Sequence, residues 1–174
     1  MMDLSLLDVH RLIAAANAER WAGDGPGRAH AFAATEAERE LAARFHIHQT
    51  LAVYGTLAPG RPNHHVVSPL GGEWTEGVIE GELFPVGWGA TLGYPAFRPR
   101  AGGPAVPVHV LKADALAGAW PRLDRFEGPG YRRILVPVFA AGPVDERRLY
   151  TVANLYAAAD PAPGEAGVRE PRVP

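Results

Sequence analysis

Apolar positions recur at helical spacing at the start of the chain, where Leu6, Val9, Ile13 and Ala16 fall on one stripe. Gly23-Asp24-Gly25-Pro26-Gly27 interrupts that pattern with residues that favour turns. Thr35 can cap a second helix, and Glu38 three residues later completes a capping-box pattern. Leu41 and Phe45 then share a face. Residues 1 to about 48 are therefore expected to form a helical arm. From about Gln49 the texture changes to short strands and turns. Leu51 to Tyr54, Val78 to Val86, Tyr94 to Phe97 and Val106 to Leu111 are strand candidates, the last with Val106, Val108 and Val110 in alternation. Asp114 to Phe126 reads as a helix interrupted at Pro121. Tyr131 to Phe139 and Arg147 to Tyr156 are the last two strands. The tail from Ala157 holds four prolines and little to bury, which predicts disorder. The pattern is α+β: a helical arm, then a mostly antiparallel sheet or small barrel with one inserted helix.

Composition narrows the chemistry more than the fold. The 174 residues contain no cysteine, serine only at Ser5 and Ser68, and lysine only at Lys112. Thiol catalysis, cysteine-ligated zinc and iron–sulfur clusters are excluded. A serine triad or a lysine Schiff base would have to use one of those three residues. Carboxylates, histidine, tyrosine, threonine and backbone groups remain. The net charge of −2, from 17 basic and 19 acidic residues, gives no basic excess for nucleic acid or an anionic membrane. No apolar run approaches the length of a transmembrane helix, and the first residues lack the cationic start of a secretory signal. A soluble cytoplasmic protein is the expectation.

Two segments are candidates for a site. In Val53-Tyr54-Gly55-Thr56-Leu57 a glycine follows an apolar strand. Such a turn lets a ligand approach the backbone, and its successive amides can form an anion-binding nest. An ordinary turn glycine is the alternative. In Leu123-Asp124-Arg125-Phe126-Glu127-Gly128, the residues Leu116, Trp120, Leu123 and Glu127 are spaced four, three and four apart. An unbroken helix places them on one stripe, with Glu127 as its charged member. Asp124 and Arg125 fall to the side and back, where water is expected. A buried carboxyl has a raised pKa and is a better base near neutral pH. The alternative is a glutamate turned outward at the helix end by Gly128. His46 and His48 would share a face if they stood in a strand, and could then bind a metal with a third ligand. Surface or satisfied core histidines are the simpler reading. Gly87-Trp88-Gly89-Ala90-Thr91-Leu92-Gly93 matches neither dinucleotide nor P-loop patterns.

Taken together, these segments resemble the gamma-glutamylcyclotransferase-like superfamily. The likeness begins at Val53 to Leu57 and continues through Gly60-Arg61-Pro62-Asn63-His64, Glu80-Gly81-Glu82-Leu83-Phe84 and Tyr94-Pro95-Ala96. It closes with Leu123 to Gly128 followed by Tyr131-Arg132-Arg133. It spans roughly residues 50 to 156 and looks most like the gamma-glutamylamine cyclotransferase branch with its uncharacterised bacterial relatives. The resemblance implies a small mixed, mostly antiparallel β-barrel flanked by helices, over about residues 49–157. Residues 1–48 would then be an added arm with no family role, and residues 158–174 a flexible tail. It implies a substrate pocket at Tyr54, Gly55, Thr56 and Leu57 and a general acid/base at Glu127. Asn63, His64, Tyr131 and Tyr156 would lie near that pocket. The implied activity is release of 5-oxoproline from a gamma-glutamyl amine or peptide.

That chemistry suits the residue inventory. The substrate's own α-amine is the nucleophile, so the protein needs none, and it needs no metal or organic cofactor. The expected partner is a small gamma-glutamyl molecule, with the protein a monomer or homodimer. The apolar stripes of the arm would pack on their own barrel or on a second copy. A binding module with the same pocket and no turnover is the alternative function, and a metal enzyme is the more distant one.

Overall fold

The computed structural model describes residues 4–22, 35–84, 96–142 and 147–159. In chain order these hold α1 (Leu6–Ala22), α2 (Glu36–Phe45), β1 (Thr50–Val53), β2 (Glu73–Phe84), β3 (Ala96–Pro99), β4 (Ala105–Lys112), α3 (Leu116–Glu127), β5 (Tyr131–Phe139) and β6 (Leu149–Ala158). The sheet runs β3-β2-β4-β1-β6-β5, and a β2–β5 pairing at Val78 and Phe139 closes β2, β4, β1, β6 and β5 into a barrel. All pairings are antiparallel except β1 with β6, which is parallel at Leu51 and Asn154. The mixed, mostly antiparallel barrel expected from the sequence is what the chain forms.

Strand alternation sorts the side chains into three layers. Val106, Val108 and Val110 of β4, Ile134, Val136 and Val138 of β5, and Ala153, Leu155 and Ala157 of β6 fill the barrel together with Ile79 and Phe97. The alternate positions point outward but are still covered, because helices lie on them. Leu51, Val53, Leu111 and Tyr156 pack under Leu116, Trp120 and Leu123 of α3. Leu135 and Val152 pack under Val9, Ile13 and Ala16 of α1 and Leu41 of α2. Strands covered on both faces read as near-continuous apolar runs, as Thr151 to Ala157 does. On β2 the close approach at the edge requires glycine: a Cβ on Gly81 would collide with the Phe97 ring and the Arg98 carbonyl.

The arm therefore docks on the barrel of its own chain. Asn17 of α1 donates from Nδ2 to the Leu135 carbonyl and accepts the Leu135 N–H at Oδ1, both at 2.8 Å. Thr35 caps α2, its Oγ1 accepting the Glu38 N–H at 3.1 Å. The carboxylate of Glu38 turns instead to Arg20, so the reciprocal half of the capping box gives way to an ion pair.

Several expectations are corrected. Leu6, placed on the buried stripe, is 45% exposed. β2 begins at Glu73 rather than Val78, and β6 continues through Ala158, so Ala157 belongs to the core and not to a tail. α3 is unbroken by Pro121, which lies on its exposed side. His46 and His48 are not in a strand: His46 is the left-handed cap of α2, and His48 lies in the 3-10 turn Ile47–Gln49. Gly23–Gly27, Gly87–Gly93 and residues 160–174 fall outside the described residues. Among the described residues no helix is long and apolar enough to cross a membrane.

Asn17 tests the docking of the arm. Asn17→Ala strands the buried Leu135 N–H and carbonyl, and should cost about 1–3 kcal/mol of stability in urea unfolding. A loss below about 0.5 kcal/mol would mean that the two Asn17 hydrogen bonds add nothing net to the docking of α1.

Candidate functional site

α3 delivers Glu127 to the site by its own periodicity. Leu116, Trp120 and Leu123 are buried on one stripe, and Glu127 follows on it, half-buried. Gly128 ends the helix at once: its φ is +73°, and its N–H bonds the Asp124 carbonyl at 3.1 Å. Open space surrounds it, so glycine serves the backbone conformation here and not a close contact. Glu127 is neither fully buried nor fully turned into solvent. Burial pushes its carboxyl up to about 7. No hydrogen bond or ion pair engages that carboxyl among the described residues. Desolvation without a compensating partner is the physical cause.

Three tyrosines feel its charge. Burial raises the hydroxyl pKa values of Tyr54, Tyr131 and Tyr156, and the neighbouring Glu127 carboxylate raises each further. Tyr54 follows the end of β1, with its ring 5.7 Å from that of Phe97 and its hydroxyl donating to the Tyr156 carbonyl at 3.0 Å. Tyr131 opens β5. Tyr156 lies on β6 and donates to Asp124 Oδ1 at 2.6 Å. The structure thus brings Glu127, Tyr54, Tyr131 and Tyr156 into one neighbourhood.

The turn after β1 is built from its own chain. The Ala58 N–H bonds the Gly55 carbonyl at 3.2 Å. Asn63 spans the loop twice, its N–H donating to the Thr56 carbonyl and its Nδ2 to Thr56 Oγ1, both at 3.0 Å. His64 Nδ1 donates to the Leu57 carbonyl at 3.0 Å, and its ring lies 5.5 Å from that of Trp74. Asn63 and His64 thus brace the turn. The N–H groups of Gly55, Thr56 and Leu57 meet no acceptor among the described residues. Gly55 needs no left-handed backbone, and a Cβ there would meet nothing. Its use is the open space above it.

Asp124, expected on the water-facing side of α3, is instead turned inward. Its side chain is 11% exposed and holds Arg133 of β5, at 2.9 Å to Nε and 3.3 Å to Nη2. The Arg133 guanidinium also lies 4.5 Å from the centre of the Trp120 ring. Trp120 and Asp124 are one helical turn apart on α3, so one arginine grips the helix at two points. Arg133 faces Tyr156 across the β5–β6 ladder, which puts the Tyr156 hydroxyl on the same carboxylate. Glu80 of the Glu80-Gly81-Glu82 segment is structural: it accepts the Gly102 N–H at 2.7 Å and pairs with Arg147. A cleft of about 180 Å³ between α1, β5 and the β3–β4 turn includes none of the tyrosines, Glu127 or the Gly55 turn, and it is not this site. Among the described residues no cluster of three or more histidine or acidic side chains could hold a metal.

A family model described as gamma-glutamyl cyclotransferase, AIG2-like, matches residues 51–169. The chain belongs to this family. No curated protein matches it. Among solved structures it is similar to an AIG2-like protein from Mus musculus, at 23% identity over 66% of this chain and 80% of that one, with a TM-score of 0.49. An uncharacterized protein from Pyrococcus horikoshii is 25% identical over 63% of this chain and 76% of its own, with a TM-score of 0.45. YkqA from Bacillus subtilis is 23% identical over 63% of this chain and 35% of its own, with a TM-score of 0.44. The family match covers β1 through β6 and stops short of α1 and α2, which precede it.

The isolation of Glu127 has a signature in stability. Its carboxyl titrates near 7 in the fold and near 4.5 when unfolded. Between those values the native state binds more protons than the unfolded state, so this group destabilises the fold as pH rises from about 4.5 to about 7. Glu127→Gln, which resembles the neutral acid, should match the wild type at pH 4 and exceed it by about 2–3 kcal/mol at pH 8. Equal stabilities at pH 8 would contradict the burial of an unpaired charge.

Proposed function

We propose that this protein releases 5-oxoproline from a small gamma-glutamyl amine or peptide, with Glu127 as general acid and base. The observation that carries this reading is a desolvated, unpartnered carboxyl at the helix end of a cyclotransferase-family chain. In the reaction the substrate's α-nitrogen attacks its own side-chain carbonyl carbon and closes a five-membered ring. Glu127 takes a proton from the attacking nitrogen. The bond from carbon to the leaving nitrogen then breaks, and Glu127 returns a proton to that nitrogen. A pKa near 7 suits both transfers at neutral pH, and such a group typically contributes ~10²–10⁴-fold.

The unused N–H groups of Gly55, Thr56 and Leu57 are suited to hold the glutamyl carboxylate or the oxyanion of the tetrahedral intermediate. Tyr54, Tyr131 and Tyr156, all held protonated by their surroundings, form the walls against which the chain curls. Orientation of that kind can remove about 7–11 kcal/mol from the barrier of a cyclisation. Asn63 acts through the turn by bracing Thr56.

A panel of gamma-glutamyl amines and dipeptides, assayed for 5-oxoproline, tests the proposal. Turnover by the wild type should fall at least ~10²-fold in Glu127→Gln. Its acidic limb should have a midpoint near 7, with activity lost as Glu127 protonates. An unaltered rate in the variant would remove Glu127 from the mechanism. Ligand-induced thermal stabilisation with no product from any member of the panel would instead favour a binding module.

A further inference from the structure

The two helices before the family match are tied to the site by a buried polar chain. Arg20, near the end of α1, is 10% exposed and forks between two partners. One is Glu38 of α2, 16% exposed, whose Oε1 lies 2.5 Å from Nη2. The other is Asn154 of β6, fully buried, whose Oδ1 accepts from Arg20 Nη1 at 2.8 Å. The same oxygen accepts from Arg133 Nη1 at 3.3 Å. Arg133 holds Asp124, and Asp124 holds the Tyr156 hydroxyl. The other side of Asn154 is pinned as well, its Nδ2 donating to the carbonyls of Ile47 and Thr50.

We infer that the N-terminal arm is a positioning element of the site, with Arg20 orienting Arg133 through Asn154 and so setting both the Tyr156 hydroxyl and the helix that carries Glu127. The inference deepens the proposed function and rests on it for its catalytic consequence. Two guanidinium groups share one amide oxygen, and each needs its own carboxylate: Glu38 for Arg20, Asp124 for Arg133. The shared oxygen has limited lone-pair directions, so Arg133 can reach both it and Asp124 only in an orientation that Arg20 leaves open. Removing Arg20 frees Arg133 to rotate toward Asn154 and loosens its hold on Asp124. α3 is gripped at Trp120 and Asp124, one turn before Glu127, so an error there is carried to the carboxyl. Asn17 supplies the comparison. It fastens the same helix to β5 through backbone groups and touches no member of the charged chain.

The test uses the full-length protein with ¹³Cζ-labelled tyrosine. There are five tyrosines, and each resonance is assigned by its Tyr→Phe variant. Arg20→Lys keeps the charge beside Glu38 but cannot fork to both partners. It should shift the Tyr156 resonance and lower kcat for 5-oxoproline release at least ~10-fold with KM within about twofold. Asn17→Ala should lower the melting temperature while leaving the Tyr156 resonance and kcat unchanged. If Arg20→Lys does not fold, Glu38→Gln is read the same way, because it leaves Arg20 in place without its anchor. A Tyr156 resonance unmoved in the Arg20 or Glu38 variant overturns the inference, as does an equal shift in Asn17→Ala. If the wild type makes no 5-oxoproline from any substrate, the catalytic reading falls; the link from arm to Tyr156 still stands or falls on the resonance alone.

Discussion

Arg133 sits where a β-strand, a helix and a second strand meet, and it cannot satisfy one of them alone. Its side chain is 7% exposed, so its charge must be met inside the protein. Breaking a buried pair by removing one partner commonly costs about 3–5 kcal/mol, because the other charge is left uncompensated. That penalty makes the geometry obligatory. Asp124 must come to β5, and α3 comes with it. Trp120 must present its ring to the guanidinium, which fixes the rotation of the helix about its axis. With position and rotation both set, Glu127 has no freedom to leave the stripe on which Trp120 and Leu123 are buried.

The arrangement around Glu127 is the opposite of that around Asp124, although they stand three positions apart. Asp124 is surrounded by donors: Arg133 on two atoms and the Tyr156 hydroxyl. Glu127 has none among the described residues. One helix thus carries a structural carboxylate that is fully engaged and a second carboxyl that is held in reserve. An engaged acid is a poor base because its charged form is already stabilised, whereas a desolvated one holds a proton near neutral pH and can release it. Burial raises the Glu127 carboxyl, while donors surround Asp124.

Legibility in the sequence followed the range of the forces involved. The stripe that ends in Glu127 was readable because the i to i+4 step from Leu123 and the stop at Gly128 are local. The alternation of Val106, Val108 and Val110 was readable for the same reason. The first half of β2 was not, since Glu73-Trp74-Thr75-Glu76-Gly77 looks like a polar turn. It is a strand because it pairs residue by residue with β4, from Glu73 opposite Lys112 to Gly77 opposite Val108. Asp124 was misplaced because a helical projection ranks residues by the apolar face, and its partner stands on a strand nine residues on. Leu6 was misplaced because periodicity says which side of a helix is apolar but not where the surface beneath it ends. The role of Arg20 had no local signal at all: its partners lie 18 and 134 positions away.

The central claim is that Glu127 is a desolvated, unpaired carboxyl, and its own titration tests that without any substrate. The ¹³Cδ resonance of Glu127 in glutamate-labelled protein, identified by its loss in Glu127→Gln and followed from pH 3 to 9, reads the ionisation of that group directly. The expected midpoint is near 7. A midpoint near 4.5, the ordinary value for glutamate, would mean that the carboxyl is solvated or paired, and the site as described would not stand.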